Sequence, residues 1–376
     1  MKKKTKSIIF VSFFALLLGV LVSQFLPNIL LKASSYSNLS LIGKVIHYVK
    51  NEYIEPVRPE QTILNAIRGM LNFLDPISSY LDKDKLAIYQ KLETSELADV
   101  GLVLTKRFGY PQIIGIIKDS PAENAPLKIG DYISSIDNVS TYEMSLWEAR
   151  LSLKGQAGTK VRVKIMGNTS IKEVLIERIK LFMNSFTYQR TGKYGLLKIH
   201  YLYPGELVKI RQLITQALSQ NIKGLIIDLR NCYEGKIEAG LKLANLFVKE
   251  GKFCFIKKKS GETQSFYGQK EQFLTDIPLV LFANQGTMSG AEIFSAILKK
   301  FGRAKIIGQP TLGLTSQQNL FLMEDDSAVL LTTGLIYLEP GEPIWGKGVK
   351  PDIDIKEEKE IKDPFLKKAL AIISFR

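Results

Sequence analysis

"IPLVLFANQGTMSGAEIFSAILKKFG", residues 277–302, reads as a buried strand that turns into an amphipathic helix, with Ser289 at the joint. A similar unit precedes it. "IKGLIIDLRN" (222–231) is a strand whose apolar run at 225–227 suits a sheet buried on both faces, and "KIEAGLKLANLFVKEG" (236–251) is the following helix, ending in Gly251. "YGLLKI" (194–199) and "GELVKIRQLITQALSQ" (205–220) give another strand and helix. "AKIIGQP" (304–310), "QNLFLM" (318–323) and "AVLLTTGLIYL" (328–338) supply further strands. Such alternation implies parallel pairing with right-handed crossovers. Ligands then belong at the carboxyl ends of the strands, where loops 231–235 and 285–290 are expected to face one another.

The rest of the chain has other textures. "MKKKTK" precedes an apolar run over 8–31, which predicts an uncleaved signal-anchor with its lysines inside and the bulk exported. A cleaved signal peptide is the rival reading. Residues 39–93 read as helices, the first with Ile42, Val45, Ile46 and Val49 on one face. From Ala98, short β-prone runs, Gly-bearing turns and two helical pieces at 122–127 and 144–153 suggest a small, partly open barrel. The 45% hydrophobic and 23% charged content is that of a globular protein. A net charge of +14, without an aromatic-interleaved basic stripe, points to no nucleic-acid partner. Two cysteines, Cys232 and Cys254, and two histidines give neither a disulfide framework nor a zinc spacing. His47 reads as an ordinary helix residue.

Ser289 precedes a helix whose first-turn N–H groups are unpaired, so the Gly290 N–H is a ready oxyanion donor. Gly235, closing "LRNCYEG", offers a second. The bland alternative makes Ser289 an N-cap and both glycines turn formers. A nucleophile needs a base. His200 lies far along the sequence, Lys299 and Lys300 end the helix, and Lys305 follows it; none is well placed.

Several ordered motifs resemble the carboxyl-terminal processing peptidases, or tail-specific proteases, which are PDZ-bearing Ser/Lys endopeptidases. They are "AIRGMLNFLDPISSYL" (66–81), "SPAENAPLKIGDYI" (120–133), "LKGQAGTKV" (153–161), "IDLRN" (227–231), "NQGTMSGAEI" (284–293), "GRAKIIGQPTLGLTSQQ" (302–318) and "LTTGLIYLEPGEPIWGKGVKPDI" (331–353). The resemblance implies an α/β, ClpP/crotonase-like peptidase core with an inserted PDZ domain and an N-terminal helical segment. Its expected divisions are a signal-anchor (1–31), a helical region (32–95), a PDZ domain (96–180), a protease core (181–355), and a charged tail with a short helix (356–376). It makes Ser289 the nucleophile, Glu292 its acidic neighbour, Gly290 and Gly235 the oxyanion donors, and Gly101, Leu102 and Val103 the peptide-binding segment. It implies no cofactor or metal. Its partners would be polypeptide C-termini or unfolded proteins, and a homo-oligomer stays open.

Two departures matter. The family motif Thr-Phe-Gly-Lys-Gly is here "TLGLT" (311–315), so Leu314 stands at the general-base lysine, although Gln318, its supporting residue, persists. The oxyanion loop has Glu234 before Gly235 instead of a double glycine. Leucine accepts no proton. Three readings follow: an anchored C-terminus binder that cleaves poorly or not at all, a peptidase with a substitute base such as Lys305 or His200, and a PDZ scaffold without activity.

Overall fold

The computed structural model describes residues 39–92, 97–142, 144–167, 171–181, 184–339, 342–355 and 364–374. The expected signal-anchor and the charged stretch at 356–363 lie outside the described residues. Among those described, no helix is long and apolar enough to cross a membrane. The chain divides into two compact units, 1–67 and 68–376. Helix α1 (Leu39–Glu52) lies in the first, and α2 (Pro59–Leu74) begins there.

The second unit opens with β1 (Ser79–Leu81) and α3 (Lys83–Gln90), whose first turn is capped by Asp82 accepting from the Lys85 N–H. Next come β2 (Leu102–Arg107), β3 (Tyr110–Ile116), β4 (Tyr132–Ile136), β5 (Val139–Ser140), α4 (Leu146–Leu153), β6 (Lys160–Met166) and β7 (Ile171–Glu177). These strands form one antiparallel sheet in the order β2–β3–β4–β6–β7, with β5 paired to β4. Period-two alternation in β6 turns Val161, Val163 and Ile165 inward, where they pack with Leu146, Ala149 and Leu153 of α4. A reciprocal capping box between Ser145 and Glu148 starts α4, and Ser145 Oγ lies 2.6 Å from Ser79 Oγ. The helical piece expected at 122–127 is a run of turns. Pro126 has no N–H to continue a helix, and the Ala122 N–H instead donates to Val100 O at 3.0 Å.

The remaining elements are β8 (Phe186–Thr191), β9 (Tyr194–Ile199), β10 (Tyr201–Leu202), α5 (Leu207–Ser219), β11 (Gly224–Asp228), β12 (Glu234–Gly235) and α6 (Ile237–Asn245). They continue with β13 (Gly251–Lys258), β14 (Thr263–Gly268), β15 (Leu279–Ala283), α7 (Ser289–Lys300) and β16 (Lys305–Gly308). Last come β17 (Gln317–Leu322), β18 (Ala328–Glu339), β19 (Glu342–Pro343), β20 (Ile353–Asp354) and α8 (Pro364–Ser374). The central sheet runs β20–β16–β15–β11–β9–β8, parallel except for β8 against β9. Both of its faces are covered. Leu225, Ile227, Leu281 and Ile306 share a core with residues of α5, α6 and α7, while Ile226, Val280, Phe282 and Ile307 share one with Phe365 and Ala369 of α8. That explains why β11 and β15 read as unbroken apolar runs.

Simple alternation misses a second sheet. β1, β18, β13 and β14 pair antiparallel in that order, and β17 and β19 also join β18. Helix α6 therefore stops at Asn245, well before Gly251. The Asn245 side chain donates to Val248 O (3.1 Å) and Gln269 O (2.9 Å) and accepts from the Gln269 N–H (2.9 Å). Those bonds hold the chain in the turn that feeds β13.

Helices α6 and α7 approach through two glycines. A Cβ at Gly240 would lie 2.1 Å from Gly290 O. Gly240→Ala is therefore expected to destabilise the protein by about 1–3 kcal/mol, the range for overpacked cores. A thermal-unfolding midpoint unchanged from the parent would contradict this close-packing account.

Candidate active site

Loops 231–235 and 284–290 are laced together beyond the ends of β11 and β15. Asn284 Oδ1 accepts from the Asn231 N–H, and Asn284 Nδ2 donates to Asn231 Oδ1, both at 3.0 Å. Thr287 Oγ1 donates to Leu229 O at 2.9 Å, and the Met288 N–H donates to Cys232 O at 3.1 Å. At the end of this lacing, Ser289 takes φ +53° as the first residue of α7. A non-glycine residue there carries about 1–3 kcal/mol of strain, which only a well-determined surround maintains.

Ser289 is not the N-cap that the bland reading made it. Met288 holds that position, and no side-chain cap bond is made. Ser289 Oγ instead donates to Gly235 O at 2.7 Å, and its N–H donates to Thr315 Oγ1 at 2.9 Å. The Gly290 N–H donates to no described residue. Gly235 adopts φ +149° because a Cβ there would lie 2.3 Å from Leu202 O. It was expected to supply an oxyanion N–H, but it presents its carbonyl to the serine hydroxyl. A carbonyl held against Ser289 Oγ is an acceptor that repels an oxyanion, while the Gly235 N–H lies on the preceding peptide.

Glu292 is fully buried one turn into α7. Its carboxylate accepts from Thr311 Oγ1, Thr315 Oγ1 and the Gly313 N–H, the last at 2.8 Å. Burial raises its pKa despite the opposing hydrogen bonds from Thr311, Thr315 and Gly313. Sequence reading singled out Glu292 but neither threonine. The only local signal was their flanking of "LGL" in "TLGLT".

Leu314, at the tip of that loop, lines a small cavity with Ser289, Ile77, Leu146 and Met288. Gln318 also lines it, but both ends of its amide are engaged, Oε1 accepting from Trp147 Nε1 (2.9 Å) and Nε2 donating to Ile77 O (3.0 Å). A larger cavity of about 400 Å³ is also lined by Ser289, together with Lys236. The other candidate bases lie elsewhere. Lys305 pairs with Asp352 at 3.2 Å, Lys300 with Glu339 at 3.0 Å, and Lys299 Nζ donates to Lys350 O. His200 lines a separate cavity with Lys154 and Tyr233, and burial, then Lys198, push its pKa down to about 4. Cys232 and Cys254 are buried and unpaired.

At the start of the segment expected to take a peptide carboxylate, the Gly101 amide is already engaged. The Val100 and Gly101 N–H groups both donate to Asp99 Oδ1, at 2.6 and 3.2 Å. Leu102 and Val103 are buried, Val103 against Ile117, Tyr233 and Met288. Asp99 Oδ2 accepts from Lys154 Nζ at 2.6 Å, and Lys154 also pairs with Glu234 at 2.5 Å. Burial opposes both charges, but Lys154 and the backbone bonds hold the Asp99 pKa below its ordinary value. Asp99 and Glu234 in turn raise Lys154 well above its own.

This arrangement matches known proteins over most of its length. A peptidase family S41 model matches residues 193–355, and a PDZ domain model residues 112–166. Over those ranges the chain is similar to S41 peptidases and to PDZ domains. A probable CtpA-like serine protease of Staphylococcus aureus (strain COL) is 27% identical over 333 residues, covering 88% of this chain and 67% of the relative. A carboxy-terminal-processing protease of Bartonella bacilliformis is 27% identical over 331 residues, 86% and 76% respectively. The solved photosystem II D1 C-terminal processing protease superposes with a TM-score of 0.69 at 25% identity, covering 87% of this chain and 89% of its own.

Lys154 ties the segment before the first strand of the PDZ sheet to the 231–235 loop. Lys154→Met is expected to cost about 3–5 kcal/mol, because it leaves the buried Asp99 and the half-buried Glu234 without their cation. The ammonium's contribution is full below its ordinary pKa of 10.5 and fades as pH rises through the raised value. The Asp99 contribution is present above 3.8 and fades as pH falls through the lowered value. Urea midpoints measured across this window should show a constant deficit in the variant. A deficit that disappears near neutrality would contradict the assignment.

Proposed function

We propose that this homologue is an anchored, exported protein that binds polypeptide C-termini and cleaves them weakly or not at all. One observation carries the reading: the Ser289 hydroxyl donates to a backbone carbonyl, with Leu314 where the family keeps its base. A carbonyl oxygen takes no proton at physiological pH, so general-base assistance of about 10²–10⁴-fold is missing. The α/β core, read as ClpP/crotonase-like, retains Ser289, Gly290, Glu292 and Gln318, the residue types the family resemblance calls for at those positions. The lysines at 2–4 and 6, with the apolar run that follows, support an anchor and an extracytoplasmic location.

Leu314→Lys is expected to restore Ser289-dependent cleavage of an unstructured polypeptide, with a gain of about 10²-fold or more over the parent. An ammonium among Ile77, Leu146 and Met288 is disfavoured, so its pKa falls toward the range of a base. Parent and variant are assayed side by side, each with Ser289→Ala as control. Parental cleavage that requires Ser289 would overturn the lost-base reading, and Lys236→Ala would then test the lysine lining the larger cavity. Failure of both proteins to cleave would leave the scaffold reading in front.

A further inference from the structure

Arg150 of α4 lies at the floor of the small cavity beside Ser289. Its Nη2 donates to Leu104 O at 3.2 Å and contacts Met288 Sδ at 2.9 Å. Its guanidinium faces the rings of Tyr233 and Trp147, 5.5 and 6.0 Å from their centroids. Its Nε is buried and has no hydrogen-bond partner. No described carboxylate forms a direct ion pair with it; burial lowers its pKa, and Glu234 and Asp99, both paired to Lys154, favour its charge only from a distance. A guanidinium stays charged, and sealing one from water without a carboxylate hydrogen-bonded to its fork is costly. Its planar fork suits a carboxylate.

Two further observations say where that carboxylate comes from. The backbone amides of 100 and 101 donate to Asp99, so an arriving terminal carboxylate would have to compete with Asp99 for them. The small cavity and the 400 Å³ cavity share Trp147, Gly235, Ser289, Ser316 and Gln318, so a chain lying in the larger can project its end into the smaller.

We propose that Arg150 binds a substrate carboxylate in the cavity beside Ser289, the terminal carboxylate of an extended polypeptide whose last side chain is apolar. The apolar preference comes from Ile77, Leu146, Met288 and Leu314, which share the cavity. The site rests on the reading that this protein binds polypeptide C-termini. It places the carboxylate next to the nucleophile instead of in the first loop of the PDZ sheet. The same chemistry is available from an acidic side chain, and the experiment separates the two.

The full chain in detergent, carrying Trp345→Phe so that Trp147 alone reports, is titrated by fluorescence with three unstructured decapeptides. One ends in leucine with a free carboxylate, one is its C-terminal amide, and one is an amide ending in glutamate. The free acid is expected to bind about tenfold or more tightly than the leucine amide. Arg150→Gln should abolish that preference and Arg150→Lys retain part of it, with circular dichroism verifying the fold of each. A glutamate amide that matches the free acid and depends on Arg150 upholds the site but assigns it to acidic side chains. A free-acid preference that survives in Arg150→Gln overturns the Arg150 site while leaving C-terminus binding intact. Equal binding of all three peptides to the parent overturns both.

Discussion

The buried carboxylate of Glu292 is the interaction on which the site depends. It gathers two threonine hydroxyls and a backbone N–H from the 311–315 loop. One of those hydroxyls, Thr315 Oγ1, accepts the Ser289 N–H. A charge placed in a fully buried position is tolerated only when its lone pairs are filled, and here three donors fill them. The network joins α7 to the strand-leading loop at the point where Ser289 is held at a positive φ. Strain at one residue persists because its neighbours have no alternative partners.

The second constraint is electrostatic and passes through Lys154. One ammonium serves Asp99, next to the first strand of the PDZ sheet, and Glu234, next to Gly235. Glu234 stands where the family resemblance calls for glycine, and here its ion pair with the buried Lys154 pins the loop. The pinned loop directs the Gly235 carbonyl at Ser289. Positions 234 and 314 therefore both bear on the same hydroxyl, one through the neighbouring Gly235 carbonyl that accepts from it and the other through the cavity it shares with Ser289.

How much of this was legible beforehand differs from element to element. Strands β11 and β15 could be read because both faces are buried and the apolar runs are continuous. β13 and β14 could not, since their exposed positions carry Lys257, Thr263 and Gln264 and resemble the end of a helix followed by a loop. Ser289, Gly290 and Glu292 lie on one short segment and were found together. Thr315 is 26 residues from its partner, Ser289, and Lys154 is 55 residues from Asp99, and nothing local marks a hydroxyl or an ammonium as buried. Arg150 was hidden for the same reason. A charged residue on a short helix looks solvated until the fold shows what covers it.

That division of labour also explains how a base can be absent from a site that otherwise holds its shape. The geometry of the 311–315 loop is fixed by Thr311, Gly313 and Thr315 on Glu292, and by the Gly346 N–H donating to Gly313 O at 2.9 Å. The side chain at 314 contributes none of these bonds. Leu314 packs with the apolar residues around Ile77 and Trp147, where an uncharged side chain is the less costly occupant. Stability favours leucine there and only chemistry favours lysine, so the scaffold and the proton acceptor are separable in this fold. The buried guanidinium of Arg150 adds to that separation. A cation at the base of the cavity makes a second, nearby ammonium harder to hold, but it makes an arriving carboxylate easier.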